Sequence, residues 1–388
     1  MAFQRKNQRV SATDILQEIA NGQEIKLSGC TISGELDVNR LFVGEENFDT
    51  SKLDLTVRDD RKTVTIAERI EFESCTFEGN VCLAPPWEKP DALEVVFKGD
   101  AIFNSSVFKG QTRFSRAIFE AIAGFDGCTF ALVASFRLIK YHGIGLYRTA
   151  LFEGYGLFDG SVFSDEARFT NTCFSKGGNF TKVRFEGVTD FAGVYSRSKS
   201  VPVYETVTFA RKRYGDDETF WRFIKQASQE AGHYQLAGEA FYNERCAHLC
   251  RRFHGPGFEE LSAAQKVVRY LVGLRLVPEL LLGRLLFGYG ERPIRVLAAS
   301  ALIIVLCALY YSSDSAQIVN RVGEAACQMK FRDGLYFSTI TFTTLGFGDM
   351  YPVAEHTATR FMAMLEALSG ACLMSLFVVS LAKRFSRG

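Results

Sequence analysis

Aromatic residues recur through the first half of the chain at steps that alternate between six and five residues. From Phe97 onward, all eighteen positions in this series are aromatic, and only Tyr141 and Tyr147 depart from phenylalanine. The series occupies positions 97, 103, 108, 114, 119, 125, 130, 136, 141, 147, 152, 158, 163, 169, 174, 180, 185 and 191. The residue two places before each aromatic is often small, as at Ala101, Ser106 and Ala117.

Two regular structures fit this pattern. An eleven-residue double step matches about three turns of a long α-helix. The twelve glycines between residues 97 and 191 argue against a helix, since each costs a helix interior roughly 1 kcal/mol. A β-solenoid fits better, because each five- or six-residue side can turn one corner and send one side chain inward. Aromatics one coil apart then stack in columns. We therefore predict a β-solenoid over residues 1–203.

The earlier coils are interrupted. Residues 13–21 are predicted to form a short capping helix, with Ser11 or Thr13 as N-cap and Gly22 as its stop. Residues 42–65 and 84–92 break the repeat and are expected to be loops. Apolar residues that keep the alternating steps mark the coils between these breaks: Ile25, Cys30, Leu36, Leu41, Ile66, Phe72, Phe77 and Leu83.

Residues 204–293 change to helical spacing and are predicted to form a connector. Cys246, Cys250 and His254 fall on one face of a predicted helix. Thiolate and imidazole ligands suit zinc, so the three are candidate metal ligands; ordinary helix packing is the alternative. Residues 261–290 are apolar but carry several charges, which predicts an amphipathic helix in the membrane interface, broken near Pro278.

Two apolar segments, 294–311 and 361–382, are long enough to cross a bilayer. Glu366 interrupts the second span, and an ionisable residue at that depth indicates either function or a structural hydrogen bond. Basic residues flank both spans on the same side, which predicts that both termini are cytoplasmic. They are Arg292, Arg295, Lys383, Arg384 and Arg387. Residues 312–358 would then face the opposite side and re-enter the membrane.

Composition narrows the class of protein. The formal net charge is +1, so we expect no nucleic-acid partner, and the polar start of the chain resembles no secretory signal. Ten cysteines without disulfide-like spacing are expected to be reduced thiols in a cytosolic N-terminal part. No catalytic constellation is found, so the sequence does not predict an enzyme.

The segment between the two spans contains the heptapeptide Thr343-Thr344-Leu345-Gly346-Phe347-Gly348-Asp349. Glycines at alternate positions can take positive φ, so successive carbonyl groups can face one side. A row of such oxygens, extended by the Thr344 hydroxyl, can replace the water shell of a monovalent cation.

This heptapeptide resembles the selectivity-filter signature of potassium channels, and residues 333–342 resemble the pore helix that precedes it. The resemblance implies a pore helix at 333–343 and an ion-binding filter at 344–348 within an all-α, two-span pore domain, residues 294–388. It also implies filter support by Thr343, Asp349 and Ile340, a gating hinge at Gly370, and four identical copies around the pore. K⁺ would be the permeant ion, with no cofactor.

The small-x-Phe unit resembles the pentapeptide-repeat family, which implies a right-handed quadrilateral β-helix. We expect a homotetrameric potassium channel of the plasma or inner membrane. A weakly selective cation channel and a membrane-anchored scaffold with a vestigial pore are the alternatives. The solenoid would assemble or regulate the channel, with a cytosolic ligand that the sequence does not identify. Any gating motion is expected to reach the first span through residues 261–293.

Overall fold

We describe a computed structural model of the 388-residue chain. It describes residues 2–43, 48–58, 61–84, 93–255, 257–313, 315–320 and 330–385. The chain divides into two compact units, Met1–Lys266 and Val267–Gly388.

The first unit is a solenoid of short parallel strands on four faces. Face 1 contains Phe3–Lys6, Ile25–Ser28, Ile70–Glu73, Ala101–Ile102, Ala123–Gly124, Gly145–Leu146, Ala167–Arg168 and Thr189–Asp190. Face 2 contains Arg9–Ser11, Thr31–Ser33, Thr76–Phe77, Val107–Phe108, Thr129–Phe130, Leu151–Phe152, Cys173–Phe174 and Tyr195–Ser196. Face 3 contains Leu36–Asp37, Val81–Cys82, Thr112–Arg113, Ala134–Ser135, Tyr155–Leu157 and Gly177–Asn179. Face 4 contains Asp54–Arg58, Arg61–Ile66, Leu93–Phe97, Ile118–Phe119, Lys140–Tyr141, Val162–Phe163, Arg184–Phe185 and Thr208–Phe209.

The predicted aromatic columns form the core of this solenoid. Phe97 is the in-register partner of Phe119, one coil further on, and their rings stack with centroids 4.7 Å apart. Phe103, which follows the face 1 strand Ala101–Ile102, stacks on Phe125 with ring centroids 5.2 Å apart. The rings are almost completely buried, so their stacking fills the space between the four faces. The β-solenoid predicted from the repeat is confirmed, and it has four faces.

The two tyrosines of the series are hydrogen-bonded to each other inside this core. The hydroxyl oxygens of Tyr141 and Tyr147 are 2.5 Å apart, and both side chains are fully buried. Burial raises the pKa of both hydroxyls, so they remain protonated. A buried hydroxyl needs a partner, which explains why the two departures from phenylalanine are consecutive members of the series.

At the N-terminal end of the solenoid, the structure agrees with some of the sequence-based predictions and not with others. Helix α1 spans Ala12–Ala20, and its N-cap is Ser11, whose hydroxyl accepts the amide of Thr13. The expectation of a loop over residues 42–65 is wrong. The end of helix α2, Arg40–Val43, falls there, and strand Asp54–Arg58 pairs antiparallel with Arg61–Ile66. The second of these strands joins face 4 because its apolar residues, including Val64, enter the core. Most of the other interruption, 85–92, lies outside the described residues.

The C-terminal end of the solenoid extends beyond the predicted boundary at residue 203. Phe209 stacks on Phe185 with centroids 5.1 Å apart. Helix α3, Glu218–Glu230, then buries Phe220 and Phe223. The Phe220 ring lies 5.1 Å from that of Phe191. The first helix of the predicted connector is therefore an end cap, because the last ring of each column needs an apolar cover.

Helix α4, Tyr234–Phe253, packs on α3 and completes the first unit. Its buried Glu244 accepts hydrogen bonds from Arg222 at 3.0 Å and from Lys225 at 2.6 Å. Short 3₁₀ segments at Lys212–Tyr214 and Phe258–Glu260 flank the two helices.

The predicted interfacial helix is broken at a different place. Helix α5, Ala263–Gly273, continues through a 3₁₀ turn, Leu274–Leu276, into a π-helical segment, Glu279–Phe287. Pro278 keeps right-handed helical backbone angles, so it changes the winding without ending the helix. The chain turns instead at Gly288–Gly290, where Tyr289 has φ 53°.

The second unit contains two long apolar helices with a shorter helix between them. Helix α6 spans Pro293–Tyr311, α7 spans Phe331–Phe342, and α8 spans Thr357–Phe385. Helices α6 and α8 are long and apolar enough to cross a membrane. An antiparallel strand pair, Ile318–Asn320 with Met350–Pro352, joins the segments before α7 and after the predicted filter. This pair was not expected from the sequence.

Candidate pore site

Helix α7 lies against both long helices, and small residues allow the close approach. A Cβ atom on Gly334 would lie 2.6 Å from the carbonyl oxygen of Ala308 in α6. One on Gly370 of α8 would lie 1.9 Å from the carbonyl oxygen of Phe342, the last residue of α7. Each glycine therefore sits where another helix backbone occupies the space of a side chain.

The predicted filter has an alternating backbone. Thr344, Gly346 and Gly348 have φ values of 58°, 49° and 73°, whereas Leu345 and Phe347 are not among the positive-φ residues. In a regular strand, successive carbonyl groups point to opposite sides. Positive φ at every second residue interrupts that reversal, so the segment meets the backbone condition for a row of oxygens on one side. The two glycines were foreseen from the sequence, but the left-handed threonine was not.

The start of the filter is held by the end of α7. The carbonyl oxygen of Ile340 accepts the amides of Leu345 at 3.0 Å and Gly346 at 3.3 Å. The Thr343 hydroxyl donates to the carbonyl of Thr339 at 2.7 Å. The Ile340 side chain is buried in an apolar cluster with Tyr311, so the contacts of this residue with the predicted filter are made by its backbone carbonyl.

The far end of the filter is held by a side-chain hydrogen bond. The Tyr336 hydroxyl donates to Asp349 Oδ2 at 2.8 Å. Tyr336 lies in α7, before the predicted filter, and Asp349 directly follows its last glycine. The bond therefore connects the helix before the predicted filter with the residue after it. The sequence reasoning named Asp349 but missed this partner, although the aromatic pair at 336 and 337 was a signal.

Glu366 is almost completely buried, at 2% exposure, where α6, α7 and α8 meet. Its Oε2 atom accepts a hydrogen bond from the Tyr311 hydroxyl of α6 at 2.8 Å. Its Oε1 atom is hydrogen-bonded to Ser338 of α7. Of the two interpretations drawn from the sequence, these contacts favour a structural hydrogen bond behind the filter.

Gly370 does not interrupt its helix. Helix α8 is continuous across this position, and the glycine is buried against Phe342. The geometry therefore gives Gly370 a packing reason to be glycine, which is distinct from the hinge predicted from the resemblance.

The last turns of α8 are tied to the turn that precedes α6. The buried Ser380 hydroxyl donates to the carbonyl of Gly290 at 2.9 Å. Lys383 Nζ donates to the carbonyl of Tyr289 at 3.0 Å and forms an ion pair with Glu291 at 2.7 Å. The turn at Gly288–Gly290 thus contacts the second long helix directly.

The candidate metal ligands do not come together. Cys246 and Cys250 lie within α4 and His254 follows it. In the part of the chain that the structure describes, no group of three or more His, Cys, Asp or Glu residues could hold a metal ion. His254 instead packs edge-on against the rings of Tyr214 and Phe258, at 6.0 and 5.0 Å. The helix-packing alternative accounts for these positions, so the metal prediction is not retained.

Comparison with known proteins gives a match to a protein family. The profile of a protein family described as "Ion channel" matches residues 298–387, which include most of α6 and all of α7, the filter and α8. Neither the curated proteins nor the solved structures contain a match to this chain. The chain therefore carries an ion-channel domain at this end, with two helices suited to span a membrane.

Proposed function

We propose that the chain is one subunit of a potassium-selective channel, with four copies arranged around a pore lined by residues 344–348. The observation that carries this proposal is the alternating backbone of Thr344, Gly346 and Gly348, directly after the α7 helix and between two apolar helices. Such a backbone can present carbonyl oxygens to a dehydrated cation. Potassium, and the number four, come from the resemblance of this segment to potassium-channel filters.

Several copies are needed to enclose the filter. In one chain, Leu345 and Phe347 are 62% and 64% exposed. A Cβ atom on Gly346 or Gly348 would meet no other atom within 4 Å. Irregular backbone at membrane depth is tolerated only where protein surrounds it or it lines a water-filled cavity. Neighbouring copies of the same segment provide both conditions.

We place both termini in the cytoplasm and the channel in the plasma or inner membrane. Arg292 and Arg295 at the start of α6 and Lys383 at the end of α8 are the flanking charges that support this orientation. Exposed apolar residues of α5, such as Val267 and Leu271, at 57% and 61% exposure, suit a helix in the membrane interface.

The solenoid is proposed to assemble or regulate the channel, and its ligand remains to be identified. The sequence suggested that motion reaches the first span, α6, through residues 261–293. The bonds from Ser380 and Lys383 to the turn before α6 support a second route, directly to α8. An element shared by both long helices is suited to bias a gate.

The test is ion flux in liposomes containing the purified full-length chain. We expect K⁺ flux that exceeds Na⁺ flux in the wild type, and no flux after Gly346→Ala. Gly232→Ala is the matched control, because Gly232 also has a positive φ of 77° and no atom within 4 Å of its Cβ position. Gly232 lies in the first unit, so its variant should keep wild-type flux.

Each alternative gives a different result in the same assay. Equal K⁺ and Na⁺ flux, lost in Gly346→Ala, would indicate a weakly selective cation channel. No flux of either ion from a correctly assembled protein would indicate a scaffold with a vestigial pore. Undiminished K⁺-selective flux in Gly346→Ala would contradict the filter assignment.

A further inference from the structure

The carboxyl group of Glu366 has partners on two other helices. The Tyr311 hydroxyl lies 2.8 Å from Oε2, and the Ser338 hydroxyl is hydrogen-bonded to Oε1. Glu366 therefore connects α8 to α6 and to the pore helix α7 at one buried point.

The hydrogens available at this point decide the protonation state of the carboxyl group. Ser338 Oγ also lies 2.8 Å from the carbonyl oxygen of Ile304. A serine hydroxyl has one hydrogen, and a carbonyl oxygen can only accept. If Glu366 were ionised, the single hydrogen of Ser338 would face two acceptors, and one of these contacts would lack a proton.

A protonated Glu366 satisfies every contact. The Tyr311 hydroxyl donates to Oε2, the acid O–H on Oε1 donates to Ser338 Oγ, and the Ser338 hydroxyl donates to Ile304. Each hydrogen then has one acceptor along a continuous chain of four groups. Within the described residues, the partners of Glu366 are uncharged, and an unpaired carboxylate in a membrane would be costly.

We propose that Glu366 is a neutral carboxylic acid that positions the pore helix, and through it the filter; this inference rests on the proposed channel function. Ser338 and Ile340 lie in the last two turns of α7, and the Ile340 carbonyl holds the amides of Leu345 and Gly346. A shift of α7 moves that carbonyl. The bond from Glu366 to Ser338 therefore fixes where the filter begins.

The first test uses substitutions that separate a neutral donor from a charge. Glu366→Gln keeps one acceptor for Tyr311 and one N–H donor for Ser338, so the wild-type K⁺/Na⁺ permeability ratio should be retained. Glu366→Leu removes both bonds, and loss of the one to Ser338 releases the pore helix. The ratio should then fall roughly tenfold, the effect expected of that one lost buried hydrogen bond. Glu355→Gln, at an exposed carboxylate outside α8, is the control for charge removal and should match the wild type.

The second test detects the acid proton without measuring transport. Infrared difference spectra of wild type minus Glu366→Gln, recorded on the full-length chain in lipid, should contain the C=O stretch of a protonated carboxyl that shifts in D₂O. The same difference taken with Glu355→Gln should lack it. Assembly of each variant is checked by size-exclusion chromatography.

The outcomes are distinguishable. An absent C=O band, or a Glu366→Gln variant that assembles but loses selectivity as fully as Glu366→Leu, would overturn the proposal. Wild-type selectivity in an assembled Glu366→Leu variant would overturn the positioning role. If the wild type does not discriminate K⁺ from Na⁺, the channel function fails first, and the infrared band still decides the protonation state.

Discussion

Gly370 lies in close contact with Phe342 at the end of α7. The effect of replacing this glycine by alanine therefore distinguishes a packing role of Gly370 from a hinge role. In Gly370→Ala the new methyl group would lie 1.9 Å from the carbonyl oxygen of Phe342. Ordinary contact is nearer 3.4 Å, so α8 and the end of α7 must separate by roughly 1.5 Å. Overpacking of this kind typically costs about 1–3 kcal/mol. Because Phe342 lies only two residues before Thr344, the first residue of the predicted filter, we expect K⁺/Na⁺ selectivity to fall.

A hinge at Gly370 predicts a different result. Loss of a flexible residue would lower the open probability but leave the filter, and so its selectivity, intact. The double variant Gly370→Ala with Ala371→Gly distinguishes the two accounts, because it returns a glycine to the helix one residue later. Ala371 is exposed in the chain and the clash with Phe342 remains. The packing account predicts that the double variant stays defective.

The assay is single-channel recording in planar bilayers, which reports selectivity and open probability separately. A variant with wild-type selectivity and reduced opening, restored by the added glycine, would refute the packing argument. Wild-type behaviour of Gly370→Ala in both respects would contradict the close contact itself.

Three further predictions concern other contacts. In the solenoid core, Tyr141→Phe or Tyr147→Phe alone should destabilise the first unit by about 1–3 kcal/mol, while the double variant should be close to neutral. Hydrogen exchange of the strand amides measures this, and additive losses would contradict it. Tyr336→Phe should lower K⁺/Na⁺ selectivity, because it removes the donor to Asp349; an unchanged reversal potential would count against that anchor. Lys383→Met should change the open probability without changing unitary conductance, since it removes two contacts between α8 and the turn before α6 but leaves the filter intact.

The repeat made the solenoid predictable from sequence because one type of side chain occupies equivalent positions in every coil. The in-register pairing of Phe97 with Phe119 follows directly from their spacing. The end of the solenoid could not be predicted in the same way. Phe220, which covers the last coil, lies in a helix whose sequence pattern does not indicate that it packs on the solenoid. The strand at Arg61–Ile66 was missed because only its last residue, Ile66, falls on the regular series.

In the second unit, backbone conformations that depend on residue type could be predicted from the sequence, whereas contacts between residues distant in sequence could not. Gly346 and Gly348 could be assigned positive φ from residue type alone. The left-handed Thr344 could not, since a β-branched residue disfavours that conformation and tertiary contacts must impose it. The partners of Glu366 lie 28 and 55 residues away in sequence, and no periodicity connects them.

The most direct test of the account is the reversal potential of the purified channel in a planar bilayer with K⁺ on one side and Na⁺ at equal concentration on the other. A pore lined by residues 344–348 should discriminate between the two ions. We therefore predict a reversal potential displaced by more than about 59 mV in the direction of K⁺ selectivity, the value for a tenfold preference of a monovalent ion. The displacement should disappear together with the current in Gly346→Ala. A reversal potential near zero would contradict potassium selectivity, and an unaltered K⁺ current in Gly346→Ala would contradict the assignment of the filter.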